Sequence, residues 1–498
     1  RIVVAKNKEE SSIAKLNILF VAAEVVPFAK TGGLADVAGA LPKAIKELGH
    51  NIIVVMPRYY KIDTSKLTKL EAPLSVPMGV MGEFLAGVYT ATLPNSDVPI
   101  YFIDHEGYFG RHGLYEDHGG GYGDNDNRFI FFSKAALQLC KLLNFTPDII
   151  HTNDWHTAAI PLLCKTRFKH DFAYAANVLT IHNLQHQGNF YRGLVDVMEV
   201  GWEHFNAHEL ESFHRVNLLK GGIYHADAVT TVSKKYAQEI QTSDFGFGLD
   251  AHIRGHSHKL FGILNGVDYD EWNPSIDNFI AKKYDFDDMS GKLACKRDIQ
   301  KHFNLELRYD VALIGFVGRF AEQKGIGLIA GIIHGLLDLD VQIIMLGTGE
   351  QWAEGFFSHV AHHRANFGLH IGYSDELAHK IEAGSDMFLM PSLFEPCGLN
   401  QIYSLRYGTL PIVRGTGGLD DTIVNFDEHH KHGNGFKFYE ASQEALYYTV
   451  LWALKIYNDD KIAFEDMQKT AMQQHFDWDD SAKGYEEVYQ YALDKKRN

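Results

Sequence analysis

Short apolar runs rich in β-branched residues alternate with stretches whose apolar residues recur every three or four positions, and the alternation continues along most of the chain. Residues 17–24 (NILFVAAE) and 51–56 (NIIVVM) read as strands. Between them Val37, Ala40, Leu41, Ala44, Ile45 and Leu48 keep helical spacing, and Gly49 stops the helix. Further strands are expected at 98–104, 148–151, 176–181 and 228–232, with a helix over 215–226 and Ser233 as the cap of the next one. Residues 259–264, followed by Asn265-Gly-Val-Asp, read as the crossing between two halves.

A second βα series begins at Ala312. It runs through the strands ALIGFVG and VQIIMLG, a helix opened by Gly372-Tyr-Ser-Asp, a strand over 386–392, a helix to about Tyr407 and a strand over 410–413. Helices occupy the tail from Ser442, and the last, from Asp480 to about Lys495, is expected to reach back onto the first domain. Strand–helix alternation on this scale predicts an α/β chain of two Rossmann-like, doubly wound domains. The boundaries expected are 17–262, 263–479 and a returning helix over 480–498.

A length of 498 residues supports more than one core, and 46% hydrophobic with 22% charged residues argues against disorder. The formal net charge of -16 disfavours nucleic acid and anionic membranes as partners, because both need a cationic footprint. A neutral polymer carries no such penalty. Cys140, Cys164, Cys295 and Cys397 form no C-x-x-C pair, so neither a zinc site nor a disulfide framework is indicated and a reducing compartment fits. No apolar run is long enough to span a bilayer. The chain begins at Arg1 rather than Met, which raises the expectation of a removed upstream segment, and the first dozen residues read as a polar leader.

The candidate chemistry lies just past strand ends, where open α/β sheets bind ligands. The turn Leu393-Phe-Glu-Pro-Cys-Gly places Glu395 to hold a hydroxylated ligand, and Thr416-Gly-Gly-Leu places Gly417 and Gly418 to let backbone N–H groups approach an anion. KTGGLADV follows the first strand. Its glycine pair alone reads as a tight turn, but Lys30 beside a helix N-terminus makes a phosphate site. Arg319 and Lys324 flank another turn on the same edge as Glu395. Three cations and two glycine turns describe a diphosphate site that needs no metal, and no acidic cluster suited to Mg²⁺ beside phosphates is present. Asp154 and His182 each follow a strand and can converge, whereas His156 and His186 read equally as capping or supporting residues. The long loop over 107–129 carries Tyr108, Phe109, Tyr115 and Tyr122 among polar groups, which suits stacking on sugar faces or an ordinary solvated surface.

KTGGLADV, the DWH run, His182-Asn, NGVD, GRFAEQKG, PSLFEPCGLNQ and RYGTLPIVRGTGGL stand in the order found in the glycogen and bacterial-type starch synthases, which the chain resembles from about Asn17 to Asp480. The resemblance implies the two-Rossmann GT-B fold, with domains facing across a deep cleft, acceptor side first and donor side second. It implies transfer of glucose from ADP-glucose to the non-reducing 4-OH of an α-1,4-glucan or maltooligosaccharide, free or at a starch granule, with retention and without cofactor or metal. It assigns the donor diphosphate to Lys30, Arg319 and Lys324, and backbone approaches to Gly32, Gly33, Gly417 and Gly418. Glu395 matches the carboxylate that binds donor-glucose hydroxyls, Asp154 and His182 lie near the anomeric centre, Asn265 by the cleft, and Tyr373 near the adenine. Cys397, Gly398, Leu399 and Thr416 complete the donor-binding set, with packing the safer reading of the Cys397 thiol. Closure of the two domains is expected to assemble the site and expel water. A bacterial cytoplasm or a plastid stroma would be the compartment.

Two positions depart from related retaining transferases. Tyr403 stands where many carry a second glutamate, as in the synthases themselves, and Asp420 stands where a small residue is common. Asp420 is expected either to loosen donor binding or to point to solvent. A UDP-sugar transferase of the sucrose-synthase type and a catalytically silent glucan-binding scaffold are the competing readings.

Overall fold

Parallel strands flanked by helices on both faces are buried on both faces, so they are written as continuous apolar runs rather than alternating ones. The computed structural model, which describes residues 13–498, has two such sheets. The polar leader expected over the first dozen residues lies outside the described residues. The chain divides into two units: the first holds the described residues through Val232, then Ala237–Gly266 and Trp478–Asn498, and the second holds Ser233–Tyr236 and Val267–Asp477.

In the first unit β1 (Asn17–Val21), α1 (Gly33–Glu47) and β2 (Asn51–Pro57) form a parallel βαβ unit. They are followed by β3 (Thr68–Lys69), β4 (Leu74–Pro77), β5 (Glu83–Thr92), β6 (Pro99–Asp104), α2 (Asn125–Leu142), β7 (Ile149–Asn153), β8 (Ala176–Ile181), α3 (Leu218–His225), β9 (Ala228–Thr231) and β10 (Leu260–Gly262). The sheet order is β10-β9-β8-β7-β1-β2-β6-β5-β3, with β4 also on β5. Strand order therefore reverses between β1 and β7, so the loops after them share one edge of the sheet.

The second unit contains α4 (Ser290–His302), β11 (Ala312–Val317), α5 (Ile326–Leu337), β12 (Val341–Gly347), α6 (Gln351–His363), β13 (Phe367–Ile371), α7 (Asp375–Gly384), β14 (Met387–Met390), α8 (Asn400–Arg406), β15 (Leu410–Arg414), α9 (Gly417–Thr422) and β16 (Phe436–Phe438). All six strands are parallel, in the order β13-β12-β11-β14-β15-β16. Its reversal lies between β11 and β14. Asp386 anchors the start of β14 by accepting from the Leu313 amide at 2.8 Å and pairing with Lys296 at 2.7 Å.

Three expectations need correction. The helix expected over 215–226 begins only at Leu218: Arg215–Asn217 is a strand, and the Asn217 side chain caps the helix by accepting from the Lys220 amide at 2.9 Å. The antiparallel excursion β3 to β5 was not expected, because only Ala86 and Val88 of β5 are buried and its apolar signal is weak. The loop over 107–129 is shorter than predicted, since α2 starts at Asn125. Tyr108 and Phe109 are core residues rather than sugar platforms.

The C-terminal helix, Trp478–Arg497, belongs to the first unit and packs on α1, β8 and β9. It buries Ala482, Tyr485, Val488, Tyr489, Ala492 and Leu493. Burial of Val488 and Leu493 contributes about 1.5–3 kcal/mol each. A polar relay runs beneath it: Tyr489 Oη lies 2.7 Å from His151 Nδ1, His151 Nε2 lies 2.7 Å from Thr180 Oγ1, and Thr180 bonds Thr230 at 2.6 Å. Burial pushes the His151 imidazole down to about 3, so the ring is neutral at pH 7. Tyr489→Phe should leave one buried ring nitrogen without a partner and cost about 1–3 kcal/mol. Thermal unfolding is expected to show a lowered midpoint, and an unchanged one would mean that the relay adds nothing.

Candidate active site

In the second unit three adjacent strands deliver the candidate residues. Arg319 and Lys324 follow β11, Glu395 follows β14, and the Gly417–Gly418 pair follows β15, with Leu389 beside Ile412 and Met390 beside Val413 in register. Glu395 is 6% exposed. Its Oε2 receives the Lys324 Nζ at 2.8 Å and the Ser392 hydroxyl at 2.9 Å. Both bonds fall on one oxygen, which leaves Oε1 as an acceptor for hydroxyl groups. Arg319 lies against Gln323 Oε1 at 3.3 Å, and Gln323 reaches the Phe394 carbonyl at 3.2 Å, so the two loops are tied together. Arg414 donates to the Leu393 carbonyl at 2.7 Å, and Ser233 to the Pro396 carbonyl at 2.6 Å, while Ser233 also caps its helix through the Tyr236 amide at 3.1 Å.

Gly417 and Gly418 have a more immediate task than the predicted one. A Cβ on Gly417 would stand 1.8 Å from the Glu395 carbonyl oxygen, and one on Gly418 1.9 Å from that of Cys397. The Gly418 amide donates to the carbonyls of Glu395 and Pro396 at 3.0 and 3.1 Å. The pair is glycine so that one loop backbone can lie on another, with the Gly418 N–H donating within the turn. Gly398 has φ +74°, and its neighbour Cys397 is buried, as are Thr416 and Gln401. Leu399 leads into α8, and Tyr373 is exposed. Asp420 neither points to solvent alone nor faces an anion site unpaired: Lys437 holds it at 2.8 Å and Lys235 stands 3.7 Å away.

The first unit carries a second group. Glu24, 2% exposed at the end of the β1 run, accepts from the Thr31 amide at 3.2 Å, the Thr31 hydroxyl at 2.6 Å, the Gly32 amide at 2.9 Å and the Tyr115 hydroxyl at 2.7 Å. A buried carboxylate thus holds the KTGG loop, and the Gly32 N–H is engaged by it. Lys30 is half-exposed and pairs with Asp36 at 2.9 Å. By contrast with Gly418, a Cβ at Gly32 or Gly33 would meet nothing within 4 Å, and Gly32 has φ -156°, open to any residue. Neither packing nor backbone conformation requires glycine there. Sequence reasoning missed Glu24 and Ser392 and gave Tyr115 only as a ring for stacking on sugars; a carboxylate closing an apolar strand was the available signal for Glu24.

Asp154 and His182 are brought together. Asp154, with φ +58°, accepts from the His182 amide at 2.7 Å, and His182 Nε2 lies 2.9 Å from Asn153 Oδ1. Burial pushes the Asp154 carboxyl up to about 7 and the His182 imidazole down to about 3. His156 stacks on Tyr115 with ring centroids 4.7 Å apart, and its buried Nδ1 has no hydrogen-bond partner among the described residues. Asn265 Oδ1 is likewise buried and unpartnered. Such groups are few in folded proteins, and a ligand hydroxyl is one way to satisfy them.

Residues 17–255 match the family described as starch synthase catalytic domain, and residues 298–470 match glycosyl transferases group 1. Glycogen synthase 1 of Geobacter sulfurreducens is 54% identical over 489 residues, covering 97% of this chain and 98% of that one. Its counterpart in Geobacter metallireducens is 52% identical over 487 residues, covering 97% of each. Among solved structures, the catalytic domain of starch synthase IV from Arabidopsis thaliana bound to ADP and acarbose matches with a TM-score of 0.89 at 31% identity, covering 97% of this chain and 100% of that one. A sucrose-phosphate synthase from Thermosynechococcus elongatus shares the fold at TM-score 0.59 and 16% identity, covering 96% and 98%. Two Rossmann-like units with polar groups past their strand ends are those of a GT-B glycosyltransferase. The chain belongs to the glycogen and starch synthase family, and it is a glucosyltransferase.

The raised Asp154 titration makes a testable statement about stability. Its folded value, about 7, lies above the unfolded 3.8, so the folded state binds the proton more tightly. Stability should therefore fall as pH rises from about 4 to about 7 and level off above that. Asp154→Asn, which keeps an acceptor for the His182 amide, is expected to lose this slope and to gain on the native chain at pH 8. Equal pH dependence of the two unfolding midpoints would contradict it.

Proposed function

We propose that the chain moves glucose from ADP-glucose to the non-reducing 4-OH of an α-1,4-glucan with retention of the anomeric configuration. The observation that carries this reading is Glu395, held on one oxygen by Lys324 and Ser392 at the carboxyl edge of the second sheet. The sugar hydroxyls take Oε1. Negative charge grows on the leaving diphosphate as its bond to the sugar breaks, and the side chains of Arg319, Lys324 and Lys30 meet it. Fixed cations that bind this state more tightly than the ground state lower the barrier. No metal enters the scheme. Positive character at the anomeric carbon favours nearby oxygens, and Asp154 and the backbone beside His182 supply them. Asn265, Tyr373 and the run Cys397-Gly398-Leu399 with Thr416 line the donor.

The Arabidopsis relative is described with ADP and acarbose bound, which supports an adenine nucleotide and a glucan acceptor. The open space at Gly32 and Gly33 supports close approach of a ligand to that backbone. All four cysteines are buried and free, which fits a reducing compartment, and the bacterial relatives favour a cytoplasm over a plastid.

The test is transfer from labelled ADP-glucose or UDP-glucose to maltooligosaccharides at subsaturating donor, with product lengths resolved. ADP-glucose is expected to be preferred and the chains to lengthen one glucose at a time. Gly33→Ala should leave the unfolding midpoint unchanged while raising the donor KM. A strong UDP preference without extension would refute the donor and acceptor, and an unaltered KM would remove the KTGG loop from the donor site.

A further inference from the structure

Asp375 and His379 stand one helical turn apart in the sequence, but the third member of the group, Glu271, is distant in the chain. Folding of the second unit brings Glu271, Asp375 and His379 together. His379, on α7, is 1% exposed, and its ring is fixed on every side. It stacks flat on Trp272 with centroids 3.7 Å apart, and Trp272 stacks in turn on Tyr403 at 4.0 Å. His379 Nδ1 lies 2.7 Å from Oδ2 of the buried Asp277, which Tyr407 also bonds. The other nitrogen, Nε2, is buried and makes no hydrogen bond among the described residues. It is aimed at Glu271 Oε1, 3.9 Å away, and Asp375 Oδ2, 4.0 Å away.

These separations are too long for hydrogen bonds. Bonds of about 2.0–2.2 Å to nitrogen and oxygen place tetrahedral ligand atoms roughly 3.4 Å apart, so each carboxylate has to approach by about half an ångström to share one ion. All three ligand atoms lie within 4.8 Å of one another, and the two carboxylates are 53% and 47% exposed, free to make that approach. A carboxylate on the far ring nitrogen is the usual outer partner of a metal-bound histidine. The other cluster, His204, Glu209 and His225, differs: Glu209 Oε1 already touches His204 at 2.8 Å and His225 at 2.6 Å, so no gap remains.

We propose that His379 Nε2, Glu271 Oε1 and Asp375 Oδ2 bind one divalent transition-metal ion, with Asp277 orienting the imidazole. An imidazole nitrogen among the ligands favours Zn²⁺ or Co²⁺ over Mn²⁺, Mg²⁺ and Ca²⁺. Water completes the coordination through the exposed side. The ion pins the segment over 271–277 to the first turn of α7; its role is structural, separate from Glu395 and the diphosphate ligands.

The experiment uses the full chain, stripped with a chelator and dialysed. Zn²⁺ is titrated by calorimetry, and Co²⁺ by visible absorption, against the same chain carrying Glu271→Gln and Asp375→Asn. The carboxamides preserve shape and leave the His379 stack intact, which His379→Ala would not. One site per chain is expected, with an unfolding midpoint that rises on adding Zn²⁺ and an affinity at least about tenfold lower in the double variant. Surface histidines contribute equally to both proteins, so the difference isolates the site. No stoichiometric Zn²⁺ binding, or binding within twofold in the double variant, would overturn the proposal and leave the cluster as an imidazolium held by carboxylates.

Discussion

Lys324 Nζ sits 2.8 Å from Glu395 Oε2, and the second unit's chemistry depends on that pair. A carboxylate with 7% side-chain exposure is costly to bury alone, and removing one partner of a buried pair costs about 3–5 kcal/mol. Lys324 keeps 22% exposure, so the full penalty does not apply, but the constraint on geometry does. The ammonium fixes Oε2, leaves Oε1 for another donor, and remains a cation where the diphosphate is proposed to sit. One side chain from β11's loop thereby sets the orientation of a second from β14's loop. Their strands are neighbours at the reversal of the sheet.

Glycines at the two candidate loops serve opposite ends. Gly417 and Gly418 are compelled by the protein itself, since any Cβ would collide with the carbonyls of the Glu395 turn. Gly32 and Gly33 are compelled by nothing in the folded chain. The first pair lets two backbones of the second unit lie on each other, and the second leaves open space beside its own loop in the first unit. In sequence both are simply a Gly-Gly after a strand, and only the neighbours of the absent side chains tell them apart.

Much of the fold was legible because buried parallel strands write themselves as apolar runs: 176–181 and 341–347 were read to the residue. The antiparallel excursion was not, since β5 buries so few side chains. The helix start at Leu218 was missed because Val216, an apolar residue in helical register, pairs in a strand instead. At the site, residues carried on strand-end turns could be named, and Asp154 with His182 could be paired. Glu24 escaped, and Tyr115 was read only as a stacking ring, because their pairing is a contact across 91 residues. Tyr403 was seen only as a missing glutamate, whereas it stacks on Trp272 and so on His379.

The most direct test of the Lys324–Glu395 constraint is a double-mutant cycle on kcat, with ADP-glucose and maltooligosaccharide saturating. If the two side chains act as one unit, Lys324→Ala alone should lose on the order of 10²–10³. Glu395→Ala should remove most turnover, and the double variant should fall little below the worse single one. Losses that multiply, or near-native turnover in either single variant, would contradict the account.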